Sequence, residues 1–162
     1  MAKIRFFTIF LLSIHIHFWV SSGETLSIYE VLKSHGLPMG LLPKGVKSFS
    51  LDDLGRFEVH LDQECNVKFE NEMHYDRSIT GVLSLGRISE LSGISAQDLF
   101  LWFPVKGIRV DIPSSGLIYF DVGVVYKQFS LSLFESPRDC VPSPPPPVDV
   151  LQMEGSFVKI WE

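Results

Sequence analysis

Hydrophobic and polar residues alternate with a period of two through the middle and later parts of the chain. From Arg56 to Leu61, the apolar Phe57, Val59 and Leu61 interleave with Arg56, Glu58 and His60. From Cys65 to Glu70, the apolar Cys65, Val67 and Phe69 interleave with Asn66, Lys68 and Glu70. Ile108–Ile112, Ile118–Val122 and Phe129–Leu133 repeat the pattern. Successive side chains of a strand point to opposite faces, so each stretch predicts a strand with one buried and one wet face. D-D-L-G at 52–55 and P-S-S-G at 113–116 supply turn chemistry between neighbours. Short links imply antiparallel pairing, a meander of roughly seven to nine strands. A sheet of that size with one apolar face folds over or closes on itself. The expected fold is mostly β: an antiparallel meander closing into a small barrel or barrel-like sandwich.

One stretch has a helical pattern instead. S-I-Y-E at 27–30 fits a capping box, and Ile28, Val31 and Leu32 fall on one stripe. Gly36 and Pro38 end the helix. About two to three turns are too few to stand alone in water, so this N-terminal helix is expected to pack on the sheet. The segment L-P-M-G-L-L-P-K-G-V that follows reads as an irregular connection.

Residues 99–105, L-F-L-W-F-P-V, break the alternation, because every position is apolar. Read as a strand, Leu99, Leu101 and Phe103 face the interior, and Phe100 and Trp102 share the other side. Three occupants suit that second side: the N-terminal helix, an apolar ligand at a barrel mouth, or a protein partner. Mutual burial of helix and strand is worth roughly 25 cal/mol per Å², so the helix is the expected cover.

The two ends differ from the body. A basic head, M-A-K-I-R, leads into an apolar run and the small residues S-S-G. That order predicts a signal peptide over 1–23, cut after Ser22 or Gly23, and export to the extracellular space. Its removal leaves 12 basic against 19 acidic residues, moving the formal charge from −5 to −7. An acidic body without a Lys/Arg cluster argues against nucleic acid as a partner. No later segment is apolar and long enough to span a bilayer. In an oxidising compartment, Cys65 and Cys140 most simply form one disulfide. The domain is expected over 24–140. After Cys140, V-P-S-P-P-P-P-V opens a proline-rich tail, 141–162, expected to be flexible and unable to join a sheet.

Candidate chemistry is sparse. There is no G-x-S-x-G elbow, no paired Cys/His metal spacing and no phosphate-cradling glycine loop. His35 sits at a helix end, and His60 and His74 fall on outward strand positions, where surface histidines are expected. Asp52 and Asp53 belong to a turn. Neither a catalytic residue, a metal site nor a cofactor is assigned.

Several separated motifs nevertheless occur together and in order. L-P-M-G-L-L-P-K-G-V, D-D-L-G-R-F-E-V-H-L, C-N-V-K-F-E, L-F-L-W-F-P-V-K-G-I-R-V-D and G-L-I-Y-F-D-V-G-V-V-Y-K-Q-F-S-L-S-L-F-E-S-P-R-D-C resemble the plant family called domain of unknown function 538. The resemblance runs from Ser27 to Cys140. It implies a small β-barrel with a helix against it, likened to half of the bactericidal/permeability-increasing type of lipid-binding barrel. It also implies amphiphiles as ligands, with hydrolysis of wall or pigment esters as an alternative. On that footing Leu41, Leu42, Phe100, Trp102 and Phe103 are the expected ligand-binding residues of a secreted, apoplastic, non-catalytic module. A stress- or defence-linked interaction module that docks partners through its tail is the third reading.

Overall fold

A computed structural model describes residues 26–143. The expected signal peptide and the proline run of the tail lie outside the described residues. The chain runs through α1 (Ile28–Ser34), a first 3-10 turn (Met39–Leu41), β1 (Val46–Leu51), β2 (Arg56–Leu61), β3 (Cys65–Lys68), β4 (Glu72–Ser84) and β5 (Arg87–Asp98). It continues through β6 (Leu101–Pro104), β7 (Gly107–Val110), β8 (Leu117–Asp121), β9 (Tyr126–Ser130), a second 3-10 turn (Leu131–Phe134) and β10 (Val141–Pro142). No helix among the described residues is long and apolar enough to cross a membrane.

The fold is mostly β and antiparallel throughout, with one helix. Its sheet follows the order β1-β2-β4-β5-β7-β8-β9, with β3 and β10 attached at β4 and with β6 attached at β5. The long β4–β5 hairpin is the spine. One half of β4 pairs with β2 and the other with β3, while β5 is shared in the same way between β7 and β6. Two wings therefore diverge from one hairpin. Bulged register between Tyr75 and Thr80 and between Thr80 and Val82 marks the bend.

The expected closure into a barrel is not realised, because no rung joins β1 to β9. The segments flanking those two edges pack together instead. Gly40, in the first 3-10 turn, lies against the second: a Cβ there would stand 2.6 Å from the Phe134 carbonyl oxygen and 2.5 Å from that of Ser136. Phe134 then completes an aromatic cluster with Phe69, Phe120 and Phe129 at ring distances of 4.5 to 6.1 Å. That packing, with the Lys44 amide donating to the Arg138 carbonyl at 2.8 Å, joins the side that no strand ladder closes.

The capping box of α1 forms as expected. The Ser27 amide donates to Glu30 Oε2 at 2.8 Å, and the Glu30 amide donates back to Ser27 Oγ at 3.3 Å. Its buried stripe of Ile28, Val31 and Leu32 joins the core through the sheet's inner face. The D-D-L-G turn is also present, with Asp52 Oδ1 accepting from the amides of Leu54 and Arg56.

Three strand readings need correction. Ile112 is exposed beyond the end of β7. Leu131 and Leu133 lie in the second 3-10 turn and are only partly buried, so β9 ends at Ser130. Val141 and Pro142 do join the sheet, pairing with Asn66 and Cys65 at the edge of β3. A proline is tolerated at such an edge. The Cys65–Cys140 disulfide, with a Cα–Cα distance of 5.4 Å, holds that edge strand in place.

Candidate functional site

The largest departure lies in the apolar stretch. Leu99 and Phe100 are not part of a strand. They form the two-residue turn between β5 and β6, with Asp98 pairing Leu101 on either side. Both have left-handed backbones, with φ of 46° and 72°. Tight hairpins favour this geometry because its twist matches the strands, and Asn-Gly normally supplies it. For an L-residue bearing a large side chain it costs about 1–2 kcal/mol. Leu99 is nonetheless 83% and Phe100 93% exposed. The turn thus projects two large apolar side chains into solvent.

A second apolar loop lies near the first. Between β8 and β9, Val124 is 81% exposed and Val125 is also exposed, as is Tyr126 at the start of β9. Gly123, at φ 90°, donates its amide to Asp121 Oδ1 at 2.8 Å and sets the turn. The adjoining Lys127 pairs with Asp98 Oδ2, at the base of the other hairpin. Its ammonium also stands 5.7 Å from the centre of the Phe103 ring. Lys127 is mostly buried in this position, so it fastens the β8–β9 loop to the β5–β6 hairpin.

Beneath the hairpin sits His74. It is 0% exposed, which corrects the surface placement expected from its outward position. The edge of Trp102 covers it at 6.0 Å between ring centres. His74 Nδ1 donates to Asn66 Oδ1 at 2.7 Å, and Asn66 Nδ2 donates to Glu72 Oε1 at 2.8 Å. This chain of bonds leaves Nε2 of the neutral ring as an acceptor. Asp76 Oδ1, 3.3 Å from Nε2, is an acceptor too, so Nε2 lacks a hydrogen-bond partner. Burial pushes the imidazole pKa down, and the carboxylates of Asp76, Glu64 and Glu72 oppose it more weakly.

The space between α1 and the sheet is too small for a ligand. The space lined by Ile28, Leu32, Leu41, Leu42 and the sheet's inner face amounts to about 10 Å³, roughly the threshold for one water. Tyr75, fully buried there, donates its hydroxyl to the Leu41 carbonyl at 3.1 Å. Desolvation pushes that phenol far above its usual range.

The five expected ligand residues therefore do not form one cluster. Leu41 and Leu42 are core residues beneath α1. Phe100 is at the hairpin tip, while Trp102 and Phe103 are half-buried on β6. The helix α1 covers the inner face of the sheet, not Phe100 and Trp102. Sequence reading missed Val124–Tyr126, although V-G-V-V-Y carried the signal: a glycine beside apolar residues where a turn was due. Among the described residues, no group of three or more His, Cys, Asp or Glu side chains is placed to hold a metal.

Comparison with known proteins adds kinship without an activity. An uncharacterized protein of Arabidopsis thaliana is 24% identical over 98 residues, which span 59% of this chain and 55% of that relative. The model of a family described as protein of unknown function, DUF538, matches residues 28–135, the whole of the sheet apart from its last short strand. The chain belongs to that family.

Proposed function

We propose that the protein is an exported, non-catalytic binding module for amphiphilic or lipid-like molecules, met at its surface rather than in its interior. The exposed Leu99–Phe100 turn carries this reading. Backbone strain at bulky apolar residues is kept where a function uses it, and an exposed apolar cluster is a place of contact. The β8–β9 loop supplies a second apolar point, and Tyr126 suits a boundary between water and lipid. The lipid-binding expectation of the family resemblance and the signal-like N-terminus support the same reading. The hydrolytic alternative rests on the family resemblance alone; the buried His74, its Nε2 sealed from solvent, lends it no support.

The test uses the mature chain in a Trp161→Phe background, so that Trp102 reports. Phosphatidylcholine vesicles should retain the protein and shift Trp102 emission to the blue. Leu99→Asn with Phe100→Gly should abolish both effects. Unmoved emission together with no retention at saturating lipid would sink the proposal.

A further inference from the structure

The solvent face of the sheet carries a separate pocket of about 220 Å³ between β5, β7, β8 and the start of β9. Clefts for drug-sized ligands run to roughly 300–1,000 Å³, so this one suits a single compact group.

A β-bulge shapes it. Ile88 pairs with Ile108, and the next rung is the Leu91 amide donating to the Lys106 carbonyl at 2.9 Å. Ser89 and Glu90 are thereby set against Gly107 alone. Glu90 takes a left-handed backbone with φ 51°. At Gly107 a Cβ would stand 3.1 Å from the Ile88 carbonyl oxygen. Bulges re-aim side chains beside functional sites, and here a non-glycine residue bears the strain.

The pocket also sets like charges against each other. Arg87 and Arg109 are direct partners across β5 and β7, an arrangement that destabilises a sheet unless something neutralises it. Arg109 lies 4.2 Å over the Tyr119 ring, and its Nη1 donates to Asp111 Oδ1 at 3.0 Å. The Arg87 side chain has no hydrogen-bond or ionic partner among the described residues. Lys106 adds a third cation, while Glu90 and Asp121 bring two carboxylates. Asp121 Oδ1 is already occupied by the Gly123 amide.

We propose that this pocket binds a phosphate-type oxyanion clamped between Arg87 and Arg109. A planar guanidinium matches two oxygens of such a group at once. Arg109 is held ready by its stack on Tyr119, and the anion relieves the cross-strand repulsion. This site shares Asp121 and Tyr126 with the β8–β9 loop but no residue with the Leu99–Phe100 turn.

Calorimetric titration with inorganic phosphate at fixed ionic strength tests it, alongside retention by phosphatidylcholine vesicles with and without phosphatidic acid. Arg87→Gln removes a side chain without partners, so the fold should persist. It should weaken phosphate binding about tenfold or more, and phosphate should raise the melting temperature of the parent but not of the variant. If free phosphate fails to bind, Arg87-dependent retention by phosphatidic acid vesicles would place the oxyanion on a lipid headgroup. Equal phosphate affinity in parent and variant, or neither phosphate binding nor Arg87-dependent retention, overturns the assignment. Leu99→Asn with Phe100→Gly should leave phosphate affinity intact, which separates the two sites.

Discussion

Strand β5 begins and ends in a two-residue turn, and the two turns could hardly be less alike. At its start, Leu85 and Gly86 link Ser84 to Arg87. Gly86 takes the positive φ of 67° at no steric cost, and its amide donates to the His35 carbonyl at 2.7 Å. The turn is tied to the end of α1. At the other end, Leu99 and Phe100 both take positive φ without a glycine, and their side chains stand in solvent. The same strand therefore shows a relaxed solution and a strained one of equal length. The first also exposes an apolar side chain, Leu85 at 69%, but only its glycine takes a positive φ. The second sacrifices stability to present apolar surface, which is the pattern of a working surface.

Four experiments would break or sharpen this contrast. Gly86→Val should have the largest effect, a loss of about 3 kcal/mol in urea unfolding, since it forces a β-branched residue to positive φ. Its Cβ would also stand 2.8 Å from Ile112 Cδ1. Leu99→Asn with Phe100→Gly should act in the opposite direction, gaining about 2 kcal/mol by relaxing the turn. A destabilised double variant would mean that the apolar tip packs on the fold, and the contrast would be lost.

The third experiment concerns His74 beneath the hairpin. Its pKa is held below the ordinary 6.5 by burial, so as pH falls the unfolded chain takes up a proton before the folded one. The contribution of the neutral ring is whole above about pH 6.5 and is lost as pH falls through the folded value. The urea midpoint should therefore drop more between about pH 7.5 and 5 in the parent than in His74→Gln. Equal pH profiles would remove His74 from the hairpin's support. Asp98→Asn should have the smallest effect, about 0.5 kcal/mol, because one partner of its pair with Lys127 is partly exposed. Its sharper readout is weaker vesicle retention, as the two apolar loops lose their fastening.

How much of this was legible in the sequence depended on whether the period of two survived. β2, β3 and β8 keep strict alternation and were readable residue by residue. The spine was not. In β5 the buried residues are Ile88, Leu91, Ile94 and Ala96, and the spacing of three mimics a helix. The left-handed Glu90 and Gly93 each fall in one of those gaps, shifting which face comes next. In β4, Asp76, Arg77 and Ser78 interrupt the buried positions where the two wings part. The candidate site was hidden for a different reason. An apolar run reads as a buried strand because burial is the commonest fate of such residues, and nothing local to L-F-L-W-F-P-V announces a turn in the place of Asn-Gly. His74 was hidden because an outward position on a strand says nothing about Trp102 arriving from β6 to cover it.

The tight space beneath α1 has a kinetic consequence. About 10 Å³ shelters no acyl chain, so a greasy molecule could enter beneath α1 only if the helix and sheet parted. Contact at two projecting loops needs no gate to open and no cargo to be released. If the two loops meet lipid as proposed, engagement and departure would be limited by diffusion and by how much apolar area meets the film.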